Sequence, residues 1–256
     1  MTDLPSFDLS GKTALVTGAA RGLGRAIALA LANAGADVAL GMRDATADGD
    51  LVGEIESMGR RALPLQMDVM DLQQAYGAID KMIAQWGRID ILVNNVGGGI
   101  DGPVEDFPES DFDFVLDLNV KSTFFVSQYV GKHMIGRKSG AIINMGSQAG
   151  AIALPGEAIY CLSKAAVSHM TKCFAVEWGM HNVRVNCVAP TFIRTDGTAV
   201  ALADPGFKAD VIERIAALHR IGEPKEVSGA VVFLASDAAS LITGQTLLID
   251  GGWTAR

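Results

Sequence analysis

Two side chains that could transfer a proton lie one helical turn apart in the sequence. Tyr160 and Lys164 fall within a segment whose apolar spacing predicts a helix from about Glu157 to Trp178, so they share one face of it. A free tyrosine titrates near pH ~10, and a neighbouring ammonium favours the phenolate and lowers that pKa. The pair could therefore give a proton to a carbonyl oxygen or take one from an alcohol.

The significance of this pair depends on Ser147, because the YxxxK spacing alone is common on solvated helices. Ser147 closely follows the apolar run Ala141–Met145, which predicts a buried strand. Ligands collect outside the carboxyl ends of parallel strands, so a hydroxyl there could meet the same ligand as Tyr160. We therefore interpret Ser147, Tyr160 and Lys164 as one candidate site.

A glycine-rich turn forms a second candidate site. Gly18, Gly22 and Gly24 have the spacing GxxxGxG, between a predicted strand and the start of a predicted helix that ends at Gly35. Backbone N–H groups at a helix start attract an anion, and glycine lets a pyrophosphate approach closely. The spacing differs from GxGxxG and lacks the GK[ST] of a P-loop. A tight turn without a ligand is the competing interpretation.

Short apolar strands alternate with helices along the chain. The predicted strands are Thr13–Thr17, Val38–Met42, Ala62–Met67, Ile89–Val93, Ala141–Met145, Val183–Val188 and Thr246–Ile249. This alternation predicts an α/β fold of the Rossmann type, a doubly wound parallel sheet of about seven strands with helices on both faces. No linker rich in Pro, Gly or Ser divides the chain, so we expect residues 1–256 to form a single domain.

The segment Thr17–Gly24 resembles the TGxxxGxG turn of the classical short-chain dehydrogenases/reductases. Asn94–Gly97 is similar to the NNAG motif of that family, with Val96 in place of alanine, and Asp68 and Val69 resemble its adenine contact. Further along, PTFIRT resembles the family segment PGxIxT. The resemblance extends from about Lys12 to Gly252. It implies nicotinamide cofactor contacts at Gly18, Arg21, Gly22, Leu23, Gly24, Arg43, Asp68, Val69, Asn95, Val96, Gly97, Tyr160, Lys164, Pro190, Ile193 and Thr195.

The resemblance also implies four catalytic roles. Tyr160 exchanges a proton with the substrate oxygen, and Lys164 lowers the Tyr160 pKa and binds the nicotinamide ribose. Ser147 hydrogen-bonds the reacting oxygen, and Asn119 holds a water that continues the proton relay. Together they predict hydride transfer between the cofactor and a small secondary alcohol or ketone.

The residues near the second strand favour NADP(H) over NAD(H). Met42 stands where relatives that prefer NAD carry aspartate, and Arg43 follows it. Arg21 lies inside the glycine turn, and two guanidinium groups could pair with a 2'-phosphate. Asp44, next to Arg43, could weaken that pairing.

The sequence contains fewer signals for the substrate than for the cofactor. The irregular segment 196–220 is predicted to form a substrate lid, and Thr191 replaces the glycine of PGxIxT, which could alter the backbone path there. Gln148 and Glu157 could bind hydroxyls, which favours a sugar, a polyol or a hydroxy acid.

Two other functions remain open from the sequence. A 3-oxoacyl thioester reductase would need to dock an acidic carrier protein, so Lys132, Arg137 and Lys138 would have to lie near the pocket mouth. A cofactor-sensing protein without turnover is the alternative outside enzymes, although such proteins typically lose the tyrosine or lysine. The family resemblance further implies a homotetramer, or at least a homodimer.

Composition argues against several other classes. A formal net charge of -8 is unfavourable for a nucleic-acid partner, which binds through Lys and Arg. The three cysteines and four histidines show no spacing of a disulfide framework or a zinc site, so no metal is predicted. We find no apolar segment that predicts a signal peptide or a membrane span, and we expect a cytoplasmic protein.

Overall fold

Seven parallel strands form one sheet in the computed structural model, which describes residues 4–46 and 49–255. The strands are β1 Thr13–Thr17, β2 Asp37–Met42, β3 Ala62–Gln66, β4 Ile91–Asn94, β5 Gly140–Met145, β6 Val183–Pro190 and β7 Thr246–Ile249. Their order across the sheet is β3-β2-β1-β4-β5-β6-β7. The predicted doubly wound fold of about seven strands is confirmed.

Helices cover both faces of this sheet. They are α1 Gly22–Asn33, α2 Leu51–Ser57, α3 Leu72–Trp86, α4 Glu109–Leu116, α5 Ser122–Arg137, α6 Ala158–Trp178, α7 Asp196–Ala203, α8 Pro205–Arg214 and α9 Pro224–Ala235. Neighbouring residues of β1 point to opposite faces: Val16 packs in the core that α1 and α9 cover, and Leu15 in the core that α3, α5 and α6 cover. Both faces of the sheet are therefore buried, which explains why the strands are nearly continuous runs of apolar residues.

The strand order reverses beside β1, which pairs with β2 on one side and β4 on the other. Crossovers to either side of such a point leave a crevice at the carboxyl ends of the strands, where open α/β sheets bind ligands. The glycine turn follows β1, and Ser147 follows β5 at the same edge.

A wide helical turn separates α4 from α5. The sequence predicts one long helix through Asn119, and the structure places residues Asp117–Lys121 in a π-helical turn between the two α-helices. The hydroxyl of Thr123 donates to the Asn119 carbonyl oxygen at 2.8 Å inside this turn. Such turns occur mostly as single interruptions of α-helices, frequently at functional sites.

Asp90 joins three elements at the amino edge of the sheet. Its carboxylate, 4 % exposed, accepts hydrogen bonds from the backbone N–H of Thr13 at 2.9 Å and from Arg137 Nη2 at 3.1 Å. Arg88 also donates to it, at 2.7 Å from Nε. Burial alone would raise the pKa of Asp90, but these donors outweigh it and lower that pKa below the usual value.

We expect Asp90→Asn to lower the free energy of unfolding by about 2 kcal/mol at pH 7, because it removes a buried charge that holds two guanidinium groups. A lowered folded-state pKa means that the contribution is present above about pH 4 and is lost as pH falls through the folded pKa. The gap between variant and parent should therefore shrink in urea unfolding below pH 4. Asp113→Asn, at an exposed position, should change stability by less than about 0.5 kcal/mol. An equal effect of both changes would contradict the assignment.

Candidate active site

The glycine turn joins β1 to α1 at the carboxyl edge of the sheet. Gly18 and Gly22 have φ values of 65° and 57°, the left-handed region that favours glycine. A Cβ on Gly24 would lie 2.1 Å from the Gly18 carbonyl oxygen, so no other residue fits there. The first turn of α1 carries no acidic side chain, and its free N–H groups could therefore face the phosphates of a dinucleotide.

Asn95 ties this turn to the end of β4. Its backbone N–H donates to Thr17 Oγ1 at 2.9 Å, and its Nδ2 donates to the Thr17 carbonyl oxygen at 3.0 Å. Val96 is tolerated because Gly18 faces it: a Cβ on that glycine would lie 2.9 Å from Val96 Cγ2. Sequence reasoning missed Thr17, although it is the first residue of the TGxxxGxG turn.

Gly97 leaves room for the ammonium group of Lys164. A Cβ on Gly97 would lie 2.7 Å from Lys164 Nζ and 2.9 Å from Asn119 Oδ1. Lys164 is 4 % exposed, and its Nζ donates to the Met145 carbonyl oxygen at 3.0 Å. The ammonium is thus held between the ends of β4 and β5.

Tyr160 and Lys164 lie on the same face of α6, with Lys164 Nζ 5.6 Å from the centroid of the Tyr160 ring. Burial raises the pKa of Tyr160 to about 12, and a hydrogen bond with Ser147 lowers it by less. Burial also lowers the pKa of Lys164 to about 8. In the protein by itself, desolvation therefore outweighs the lowering of the Tyr160 pKa that the sequence predicts from the ammonium.

Asn119 connects the loop after β4 to α6. Its side chain, 1 % exposed, accepts from the Gly98 N–H at 3.0 Å and donates to the Gly98 carbonyl oxygen at 2.8 Å. Its Nδ2 also donates to Ser163 Oγ at 2.8 Å, a contact that sequence reasoning missed because only the YxxxK spacing drew attention to this helix. Both N–H groups of this amide and one acceptor position of its oxygen are used by the protein, so its direct effect is to fix the loop beside Tyr160.

A cavity of 260 Å³ lies between the glycine turn and the catalytic group, and we call it the cofactor compartment. The predicted residues that line it are Leu23, Asn95, Gly97, Ser147, Tyr160, Lys164, Pro190, Ile193 and Thr195. Thr191 also lines it, and the buried hydroxyl oxygen of this residue has no hydrogen-bond partner within the described ranges. An unpaired buried hydroxyl fits a ligand that carries polar groups, such as the nicotinamide carboxamide and ribose.

The segment after β6 closes this compartment from the side of α7. Thr191 keeps a negative φ, so replacement of glycine does not strain the backbone. Thr195 caps α7 together with Thr198, whose Oγ1 accepts from the Thr195 N–H at 3.1 Å. A Cβ on Gly22 would lie 3.6 Å from the Thr195 side chain, so this segment and the glycine turn are neighbours.

Of the other predicted cofactor residues, Arg21 lies in the glycine turn, and Arg43 follows the end of β2. Met42 is buried, while Arg21 and Arg43 are exposed and form no ion pair with the described residues. The carboxylate of Asp44 instead accepts from the N–H and the hydroxyl of Thr46, at 2.9 and 2.6 Å. With respect to the described residues, both guanidinium groups therefore remain available to an anion.

Asp68 and Val69 follow β3 after one intervening residue, which places them at the same edge of the sheet as the glycine turn. Asp68 Oδ1 accepts from the Met70 N–H at 2.9 Å, and Val69 is buried. The structure therefore brings the predicted catalytic and cofactor residues to one edge, as the strand order requires.

The cationic cluster Lys132, Arg137 and Lys138 lies at the opposite edge. It belongs to the second half of α5 and the residue that follows this helix, just before β5 begins, and Arg137 Nη2 contacts Asp90 before β4. The pocket mouth lies beyond the carboxyl ends of these strands. The placement that a thioester reductase would need for this cluster is therefore not found.

Other kinds of site find little support. Within residues 4–46 and 49–255, no group of three His, Cys, Asp or Glu side chains is arranged to hold a metal ion. In the same ranges, no helix is long and apolar enough to cross a membrane. The cysteines Cys161, Cys173 and Cys187 are free thiols.

Known proteins resemble this chain over almost its whole length. A family model described as Enoyl-(Acyl carrier protein) reductase matches residues 18–254. The 2-dehydro-3-deoxy-D-gluconate 5-dehydrogenase of Escherichia coli (strain K12) is 40% identical over 99% of both chains. The D-threitol dehydrogenase of Mycolicibacterium smegmatis is 40% identical over 98% of this chain and 95% of its own.

A solved structure is also similar to this chain over almost its whole length. The gluconate 5-dehydrogenase of Burkholderia cenocepacia J2315, in complex with NADP and tartrate, superposes with a TM-score of 0.94 at 35% identity. The match covers 98% of each chain.

Proposed function

The chain belongs to the classical short-chain dehydrogenase/reductase family, and from that premise we propose the roles of its residues, its cofactor preference and its substrate class. Like its relatives it is an NAD(P)(H)-dependent oxidoreductase that acts on CH–OH or C=O groups. The observation that carries the assignment of roles is the meeting of Ser147, Tyr160 and Lys164 at the wall of the cofactor compartment.

In the proposed mechanism, Tyr160 exchanges the proton. It gives its phenol proton to the carbonyl oxygen in reduction and takes the hydroxyl proton in oxidation. Ser147, which lines both compartments with Tyr160, holds the reacting oxygen in line with that phenol. Bound nicotinamide cofactor supplies the hydride, or accepts it in the reverse direction.

Lys164 supplies a positive charge beside the phenol and binds the nicotinamide ribose. Its ammonium lies against Gly97 at the floor of the compartment. Asn119 is a positioning residue through Gly98 and Ser163. The family resemblance implies that Asn119 also holds a water that continues the proton relay.

We propose NADP(H) as the preferred cofactor. Arg21 and Arg43 are exposed and unpaired among the described residues, and Met42 offers no carboxylate to the adenosine ribose. Asp44 accepts hydrogen bonds from Thr46 and forms no ion pair with Arg43 among the described contacts. The glycine turn, Asp68 and Val69 complete the binding site for the adenosine half.

Arg43→Ala should raise the KM for NADPH by about tenfold or more and change the KM for NADH by less than about twofold, because a charge-assisted contact to the 2'-phosphate is lost. Steady-state kinetics with both cofactors measures this. Lys132→Ala, which removes an exposed cation at the far edge, serves as the matched control and should change neither KM. Equal weakening of both cofactors would count against the phosphate contact.

The substrate class that the pocket supports best is a sugar, polyol or hydroxy acid. Gln148 and Glu157 line the cavity beside Tyr160, and both can bind hydroxyls. A 3-oxoacyl thioester reductase is less well supported, since Lys132, Arg137 and Lys138 lie away from the pocket mouth.

We propose a cytoplasmic homotetramer with one domain per chain and a lid at 196–220. Apolar side chains are exposed on α5, α6 and β7, at Phe124, Leu162, Val176 and Leu248. These faces could be covered by further copies of the chain. In the lid, α7 already lines the cavity beside Tyr160.

The function is tested by following absorbance of the reduced nicotinamide with NADP⁺ and NAD⁺ against polyols and sugar acids. The reverse assay uses NADPH and NADH with ketoses and 3-oxoacyl thioesters. Turnover of a polyol, sugar or sugar acid is expected. Turnover of thioesters alone would replace the proposal by the reductase alternative.

A further inference from the structure

A second cavity, of 340 Å³, opens on the other side of Tyr160. We call it the substrate compartment. It shares Ser147, Tyr160, Thr191 and Thr198 with the cofactor compartment, so a ligand in one meets a ligand in the other at the catalytic group. The loop after β4, the segment after β5 and α7 form its other walls.

Unpaired polar atoms point to a hydroxyl-bearing ligand in the substrate compartment. Gln148 is 1 % exposed, yet its Oε1 has no hydrogen-bond partner within the described ranges. The hydroxyl of Thr191, a residue at the boundary with the cofactor compartment, is also unpaired within the described ranges. Leaving such an atom unpaired is costly, and a ligand hydroxyl could pair with it by donating to the Gln148 oxygen.

The charged groups of this compartment are all acidic. Asp101 and Glu157 line it, and among its described lining residues there is no Lys or Arg. Neither carboxylate has a hydrogen-bond or ion-pair partner among the described side chains. Lys164 lines the adjoining compartment and donates to the Met145 carbonyl oxygen.

The local field already disfavours negative charge. Burial raises the pKa of Glu157 above its usual value, and the charge of Asp101 raises it further. A substrate carboxylate placed in the same cavity would face the same desolvation and repulsion without a cation to offset them. A neutral hydroxyl meets no such penalty and can donate to either carboxylate.

We propose, resting on the dehydrogenase function proposed above, that the substrate compartment selects a neutral polyhydroxy substrate, an alditol or aldose, over the corresponding sugar acid. Glu157 and Asp101 accept hydrogen bonds from substrate hydroxyls, and Gln148 fixes a neighbouring hydroxyl through its buried amide. These three residues set specificity, and the reacting hydroxyl stays with Ser147 and Tyr160.

The test compares kcat/KM for pairs of equal carbon number, threitol with threonate and sorbitol with gluconate, using NADP⁺ and NAD⁺. The parent enzyme should favour the neutral member by about tenfold or more. Glu157→Gln should lower kcat/KM for the neutral member by about tenfold and raise it for the acid, because it removes a charged acceptor and a repulsive charge. Asp101→Asn, at an exposed position that folding tolerates, should shift the ratio in the same direction.

Asp106→Asn is the matched control, since it neutralises an exposed carboxylate of the same loop that does not line the compartment. Its ratio of kcat/KM for the neutral substrate to kcat/KM for the acid should equal that of the parent. Preference of the parent for the sugar acids would overturn the inference and leave the dehydrogenase function intact. An unchanged ratio in both variants would overturn the assignment to Glu157 and Asp101. The protein could also turn over none of the substrate classes while still binding NADPH in a fluorescence titration. That result would overturn the proposed function as well.

Discussion

Tyr160→Phe is expected to lower kcat by about a thousandfold or more while leaving the affinity for NADPH within about threefold. Phenylalanine keeps the ring that lines both compartments and removes the only atom that exchanges the proton. The loss should appear in kcat and kcat/KM together, because a proton transfer made only in the transition state is removed. Stopped-flow hydride transfer and NADPH fluorescence titration measure the two quantities separately.

Tyr129→Phe provides a matched control for this variant. Tyr129 lies on α5, where its hydroxyl bonds Asp80 at 3.0 Å, and it lines neither compartment. Its replacement should leave kcat unchanged. Activity of Tyr160→Phe within tenfold of the parent would rule out the proton-transfer role.

Lys164→Met should also abolish turnover, and it should change stability in a way that depends on pH. The ammonium is buried, and its pKa of about 8 lies below the 10.5 of an ordinary lysine. Desolvation therefore destabilises the folded protein while the lysine is protonated in both states, at any pH below about 8. Placing a buried cation beside the cofactor and Tyr160 therefore lowers the free energy of unfolding.

The direction of the pH dependence follows from the number of protons that the folded and unfolded chains bind at Lys164. Between pH 8 and 10.5 the unfolded chain binds a proton at Lys164 that the folded chain has lost, so the stability of the parent rises with pH. The methionine variant lacks this dependence. Its stability relative to the parent should therefore be higher at pH 7 than at pH 9.5, by roughly 2 kcal/mol. Urea unfolding of variant and parent at the two pH values measures this difference in stability. The variant leaves the Met145 carbonyl without its lysine partner at both pH values, so the cost of that loss cancels from the comparison.

Lys172→Met controls for the loss of a lysine from the same helix. Lys172 is exposed on α6, so its stability change should be small and equal at both pH values, and its turnover should be normal. A pH-independent effect of Lys164→Met would show that the pKa of the buried amine is not lowered, because the folded and unfolded chains would then bind the same number of protons at both pH values.

The sheet could be predicted from the sequence because its strands are buried on both faces. Continuous apolar runs such as Ala141–Met145 stand out against the surrounding helices, and each observed strand lies within two residues of its predicted bounds. The edge that carries the site follows from the same alternation, since parallel strands end together.

The finer parts of the site depend on contacts that no local pattern encodes. The hydroxyls of Thr17 and Ser163 act across 78 and 44 residues of sequence, on Asn95 and Asn119. Charge spacing suggested a docking role for Arg137, yet tertiary structure pairs it with Asp90 at the other edge. The pKa of Tyr160 likewise depends on burial, which exceeds the effect of a neighbour one turn away.

The wide turn at Asp117–Lys121 has a consequence for comparing sequences. A single π-helical turn amounts to one extra residue in an α-helix, so α5 is rotated by about 100° relative to the continuation of α4. An alignment guided by helical periodicity alone would slip by one position beyond Asn119 and would match the wrong residues along α5. Removing one residue here would restore a regular helix and turn the Asn119 amide away from Gly98 and Ser163. The length of this segment, and not only its composition, is therefore part of what specifies the site.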